Sequence, residues 1–206
     1  MRTDSRPTGR TFVEEARRRQ IIDAAIVTVA ERGYANASLA QIAATAGISK
    51  SVISYHFAGK EELLREVVTQ VYAECGEAVE AALGACDTWS DRLAAFITAE
   101  LDYMRHNRHK WLAASEIVIS HRDESGTPLY LKARDETQGF EWVLEEGRRA
   151  GEFGDDFDVR IAALTLLHAL DGVLTEWQKD ATLDLEDYGR RLVRFVLRAV
   201  RKEAPS

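Results

Sequence analysis

Proline is nearly missing from this chain: the three residues fall at Pro7, Pro128 and Pro205, so nothing between residues 8 and 127 forbids continuous helix. Cysteine is scarce too. Cys75 and Cys86 lie on one expected helix and its end, too far apart to bridge, which sets aside a disulfide scaffold and points to reduced intracellular thiols. No run of about 18 apolar residues occurs, and the N-terminus carries arginines without an apolar signal core. Neither a membrane span nor export is expected, and the cytoplasm is. There is no nucleophile elbow, glycine-rich phosphate loop or Cys-x-x-Cys, so an enzyme is the weaker hypothesis and no cofactor is called for. A surplus of positive charge is also lacking, the net charge being −7.

That charge is unevenly spread. Residues 1–60 carry nine basic and five acidic side chains, a surplus of +4, and since the whole carries −7 the remainder carries −11. Exposed charges more than about 8 Å apart are screened at physiological salt, so a basic head on an acidic body still attracts phosphates.

What is present in quantity is apolar residue, 46% of the 206, arranged mostly at helical spacing. Residues 1–10 have no apolar period and read as a disordered arm. Thr11 and Glu14 form a capping box for a first helix, with Ile22, Ala25, Ile26 and Val29 on its inner face, ending at Gly33. Arg17, Arg18 and Arg19 lie near its start, either against phosphate or simply in water. Lys60 opens a helix of about 24 residues, roughly 36 Å long, running to Gly84. Further helices are expected from Trp89 to about Asn107, His109 to Ser120, Thr127-Pro128 to Gly151, Val159 to Lys179 and Asp184 to Arg201. Pro128 suits the first position of its helix. The class is all-α, about nine helices.

The most informative stretch is Ser38 to Phe57, SLAQIAATAGISKSVISYHF. Ser38 and Gln41 make a capping box, Leu39, Ile42, Ala43 and Ala46 an inward face, and Gly47 a left-handed stop. Ser49 is placed to cap a second short helix. The result is a helix-turn-helix, whose second helix exposes Lys50, Ser51, Ser54, Tyr55 and His56, with Val52 divided between surface and core. These are hydrogen-bonding groups of a size to reach base edges in a major groove.

Together with Ile21, Ala24, Ala25, Val29, Gly33, Tyr34, Ile48, Lys60 and Leu63, the stretch resembles the N-terminal domain of the tetracycline-repressor (TetR) family over residues 12–62. Ser51 stands where that family often has Gly, and Ser54 where it often has a phosphate-contacting Tyr. The resemblance implies a homodimeric regulator in which residues 1–60 bind double-stranded palindromic operator DNA and residues 61–206 dimerise and bind a small-molecule effector of unknown identity. Repression is the family's usual mode. The residues expected at DNA are Ser38, Gln41, Ser49, Lys50, Ser51, Val52, Ser54, Tyr55, His56 and Lys60. A DNA-binding dimer without an effector, an activator, and an enzyme of the body are the alternatives.

In the body, Tyr103, Trp111, Glu116, Phe140, His168 and Asp171 are expected to line an effector pocket, since such pockets are mostly apolar with a few polar groups. The last two helices carry more apolar surface than one small body needs, which points to a four-helix dimer interface. His106 and His109 have a metal-pair spacing, but Arg105, Arg108 and Lys110 beside them oppose a cation, and no metal is expected.

Overall fold

The computed structural model describes residues 12–123, 125–129 and 137–202. Among these, nine α-helices and no strand are found: α1 Phe12–Arg32, α2 Leu39–Ala46, α3 Lys50–His56, α4 Lys60–Leu83, α5 Trp89–His106, α6 Arg108–Ser120, α7 Gln138–Arg149, α8 Val159–Lys179 and α9 Leu185–Ala199. The all-α expectation holds. No described helix is long and apolar enough to cross a membrane.

The chain divides into two compact units, one within residues 1–71 and 109–132, the other within 72–108 and 133–206. In the first, α1 packs on α2 and α3. Ile21, Ala25, Val29, Ile42, Ile53, Leu63, Leu64 and Val67 are fully buried there, each large side chain contributing about 1.5–3 kcal/mol by leaving water. Ile117 of α6, also fully buried, belongs to this unit.

In the second unit α5 packs on α7 and α9, and α7 on α8. Phe96 and Phe140 stack with centroids 4.1 Å apart. Small residues make the close approaches possible: a methyl on Gly139 would meet the Phe96 ring at 2.7 Å, and one on Gly147 the Phe153 ring at 2.2 Å. Helix starts are satisfied from side chains. Thr88, Asp158 and Asp184 accept from the first-turn N–H groups of α5, α8 and α9, and the Glu152 carboxylate takes the N–H groups of Trp89 and Ser90 at 3.0 Å each. Burial alone would raise the Glu152 pKa, but these donors outweigh it and hold the carboxyl below its usual value.

The Thr11–Glu14 capping box and the arm of residues 1–10 lie outside the described residues, and three details differ from the sequence reading. Of the helix expected from Thr127-Pro128 to Gly151, the described part is Gln138–Arg149, residues 130–136 lying outside the described residues, and Pro128 is not its start but forms an antiparallel bridge with Arg122. The cause is local: the Asp123 carboxylate accepts from the N–H groups of Ser125 and Thr127, both at 2.9 Å, and the Leu129 N–H turns back to the His121 carbonyl, a side-chain-driven turn that competes with helix. A short 3-10 turn, Tyr34–Asn36, joins α1 to α2 and has no hydrophobic period to announce it. Finally, α9 ends at Ala199, and Arg201 bridges Phe153 instead.

Candidate nucleic-acid interface

The capping box at Ser38 is formed in full: its hydroxyl accepts from the Gln41 N–H, and the Gln41 side chain accepts from the Ser38 N–H at 3.1 Å. Gly47 closes α2 at φ 66°, a left-handed conformation that costs glycine nothing. The chain then reverses into α3 without further residues to spare. Ser49 occupies the N-cap of α3 but makes no capping hydrogen bond. Its hydroxyl pairs instead with that of Ser51, 2.8 Å away, so the expected cap is present in backbone only.

α3 is held from beneath by Ile53, fully buried, and by Phe57, the residue that ends it. Arg18 completes the support. Its guanidinium lies 4.0 Å over the Phe57 ring, donates to the carbonyl of His56, and faces Glu62 at 3.9 Å and Glu66 at 3.5 Å. Only 6% of Arg18 is exposed, so it is a strut of the domain, whereas Arg19 is exposed.

With its inner side anchored, α3 turns Lys50, Ser51, Ser54 and Tyr55 to solvent, Val52 and His56 being half-buried. Tyr55 is 76% exposed, its ring meeting the edge of His56 at 5.0 Å. A large exposed aromatic hydroxyl on a seven-residue helix gains nothing from packing in the isolated chain. Ser54 spends its hydroxyl on the Lys50 carbonyl one turn back, at 3.2 Å, a bond that a better partner can replace. Ser38, Ser49, Lys50, Ser51, Ser54 and Tyr55 are therefore exposed residues of the α2–α3 pair, and Gln41, half-buried, is engaged by its own capping bond.

Lys60 is placed differently. Its ammonium donates to the Tyr34 carbonyl at 2.9 Å and lies 4.5 Å from the centre of the Tyr34 ring, and burial pushes its pKa down. Within the chain this cation ties the start of α4 to the 3-10 turn. Sequence spacing gave no sign of that contact, because the turn itself was invisible.

The six residues expected around an effector are divided between the units. Trp111 and Glu116 lie in the first, Tyr103, Phe140, His168 and Asp171 in the second. Phe140 is core, stacked on Phe96, and Tyr103 is buried with its hydroxyl donating to Glu74 at 3.0 Å, where burial and that carboxylate push its pKa up. His168 and Asp171 are exposed on α8, although burial against its neighbours raises the Asp171 pKa. Trp111 is buried, and the Glu116 carboxylate accepts the Tyr34 N–H at 2.6 Å. The second unit does contain a groove of about 430 Å³, lined by Ala82, Ala95, Thr98, Leu101, Leu185 and Gly189 together with the charged Asp102 and Arg105. None of these was expected from the sequence to line a pocket, small residues such as Ala95 and Gly189 carrying no such signal of their own. Cys75 is buried and its thiol is pushed up to about 12, by burial first and Glu100 second, which makes it inert. Among the described residues no group of three or more His, Cys, Asp or Glu could hold a metal ion, and His106 is engaged with the Asp102 carbonyl at 2.9 Å.

Residues 21–67 match the family model described as bacterial regulatory proteins, tetR family, and residues 86–200 match that of the tetracyclin repressor-like C-terminal domain. The HTH-type transcriptional regulator BetI of Brucella anthropi is 29% identical over 163 residues, covering 77% of this chain and 84% of its own. The fatty acid metabolism regulator protein of Bacillus subtilis is 26% identical over 171 residues, 81% of this chain and 86% of that one. Among solved structures, a regulatory protein of the tetR family from Rhodococcus superposes with a TM-score of 0.76 at 26% identity, covering 91% of this chain and 98% of the other. FadR of Bacillus subtilis in complex with stearoyl-CoA gives 0.74 at 23% identity, covering 89% and 99%.

Proposed function

The chain belongs to the tetR family of bacterial regulatory proteins, and from that premise we propose that it is a cytoplasmic homodimeric repressor, released from a palindromic operator by a small molecule. It is a DNA-binding transcriptional regulator. The observation that carries the reading is α3: its inner side is fixed by Ile53, Phe57 and Arg18 while Lys50, Ser51, Ser54 and Tyr55 are exposed to solvent. A helix so mounted presents its N-terminal side chains to a major groove. Ser38, Gln41, Ser49, Val52 and His56 complete the proposed contact set, within a DNA-binding domain of residues 1–60, and Lys60 serves it by holding the 3-10 turn.

Dimerisation through α8 and α9 is supported by what those helices leave uncovered. Ile161 is 62% and Phe195 64% exposed, and Arg191, Arg194 and Arg198 line the outward side of α9 while His168, Asp171 and Glu176 line that of α8. A second copy then covers Ile161 and Phe195, and two-fold symmetry sets the recognition helices about one DNA turn apart, roughly 34–36 Å or a multiple of it.

The effector is proposed to bind in the body, residues 61–206, and to act through α4, which is continuous from Lys60 to Leu83 and belongs to both units. Long-chain acyl-CoA thioesters are the first class to try, because stearoyl-CoA is bound in the similar FadR structure. The test is a ligand titration of the dimer with and without operator duplex. A coupling of about 1–3 kcal/mol makes each ligand weaken the other by the same factor, roughly 5- to 150-fold. Equal ligand affinities in the two titrations would leave a DNA-binding dimer without a switch, and no binding of any duplex would remove the regulator reading altogether.

A further inference from the structure

The 3-10 turn between α1 and α2 consists of three residues, yet all three polar groups of its first residue are taken by partners from elsewhere in the unit. The Tyr34 N–H donates to Glu116 of α6 at 2.6 Å, its carbonyl accepts from Lys60 of α4 at 2.9 Å, and its hydroxyl meets Nδ1 of His121, just after α6, at 2.8 Å. The ring is held as well, edge-on to His121 at 5.9 Å and beneath the Lys60 ammonium. Gly33 precedes it at φ 78°, and a methyl there would come within 3.2 Å of the Glu116 carboxylate, so a side chain at position 33 is opposed by both backbone and neighbour. The turn that aims α2 is thereby gripped by α4 and by the end of α6.

One arm of this grip is titratable and enclosed. His121 is 5% exposed. With Nδ1 at the Tyr34 hydroxyl, its Nε2 is buried without a hydrogen-bond partner, 3.9 Å from the Glu61 carboxylate. It borders a cavity of about 530 Å³ that Glu61, Arg65, Asp123, Ser125 and Thr127 also line. Resting on the repressor reading above, we propose that Tyr34 is the positioning residue of operator binding, and that its hydrogen bond to His121 is a proton-sensitive hold on the helix-turn-helix. The groups facing the imidazole are the Tyr34 hydroxyl from the turn, Lys60, Glu61 and Arg65 from α4, and Asp123 from its own loop. Burial disfavours the imidazolium most. Glu61 and Asp123 favour it and Arg65 and Lys60 oppose it, and the pKa falls below the ordinary value.

The direction follows from linkage. A histidine whose pKa is lowered in the packed state binds its proton more readily once released, so the hold is at full strength above about pH 6.5 and weakens as pH falls below it. A head fixed in one orientation meets both half-sites at less entropic cost than a loose one, so the released state binds operator more weakly.

The experiment uses the full-length protein and a fluorescein-labelled duplex selected by it from random-sequence DNA at pH 7.5. Affinity is read by anisotropy at constant ionic strength from pH 7.5 to 5.5, for the native protein, His121→Asn and Tyr34→Phe. Asparagine keeps a neutral partner for the hydroxyl and does not titrate. The native protein is expected to lose roughly fivefold more affinity than His121→Asn across this range, the low end of ordinary coupling, and Tyr34→Phe to be weaker already at pH 7.5 without the extra loss. Comparing variants cancels any titration of His56. Parallel pH profiles for the native protein and His121→Asn overturn the proposal. If selection returns no duplex, the regulator reading fails, and the hold is still decided by the Tyr34 amide resonance of the free protein. A pH titration of that resonance that vanishes in His121→Asn supports it, and an unmoved resonance refutes it.

Discussion

Replacing Arg18 with alanine separates two roles that an arginine near a DNA-binding helix could have. In the structure its guanidinium bonds the carbonyl of His56, the last residue of α3, covers the Phe57 ring and faces two glutamates. A hydrogen bond to a charged group contributes about 1.5–3 kcal/mol and a partly desolvated cation–π contact about 0.5–2 kcal/mol. The glutamate side chains are 43% exposed, so those ion pairs add only about 0–1 kcal/mol. Since the terms share one side chain and do not add, the expected loss is about 2–4 kcal/mol. At about 2–4 °C per kcal/mol for a chain of this size, the thermal midpoint should fall by roughly 5–15 °C. Operator affinity should fall with it, because the end of α3 is freed, but its dependence on salt should not change: a lost phosphate contact would reduce the slope by about one, and Arg18 makes none. Calorimetry and anisotropy at three salt concentrations give both readings. An unchanged midpoint with a slope smaller by about one would show that Arg18 faces DNA and that its burial in the free chain is beside the point.

Tyr55→Ala should leave the thermal midpoint within about 1 °C, since the ring is mostly in solvent, and weaken operator binding by about 1–3 kcal/mol if it reads a base edge; unchanged gel-shift affinity removes it from the interface. Phe195→Glu, on an exposed position of α9, should give a folded monomer by light scattering, whereas an unaltered dimer would exclude that face. Leu170 cannot serve the same test, being fully buried in its own chain. Gly147→Ala should destabilise by about 0–2 kcal/mol, an overpacking cost of about 1–3 kcal/mol against Phe153 less about 1 kcal/mol of helix propensity. Gly76→Ala, with nothing within 4 Å of the new methyl, should stabilise by about 0.5–1 kcal/mol, and the reverse order of melting temperatures would refute both.

The helices were legible because each buries apolar residues at a spacing that composition cannot fake, and because Ser38 caps α2 where a capping residue precedes an apolar run. α8 was read from Val159 to Lys179, as observed. Pro128 misled, because a proline that suits a helix start equally suits a turn, and Asp123 decided between them. The outward face of α3 followed from the position of Gly47. What could not be read was every contact made across a long sequence separation: Arg18 under α3, Lys60 on Tyr34, Glu116 and His121 on the same turn. Each is a single polar side chain, and no period or motif records where a single polar side chain will find its partner.

The grip on Tyr34 also has a schedule. Two of its partners, Glu116 and His121, lie 82 and 87 residues further along the chain. At about 5–20 residues per second of synthesis, roughly 4–17 s separate the emergence of the turn from that of the groups that fasten it. The recognition helix and its apolar supports, all within the first seventy residues or so, are complete well before then. A nascent or prematurely ended chain therefore displays a DNA-reading surface before it has the hold that orients it, and the fastened head exists only once translation has passed the end of α6.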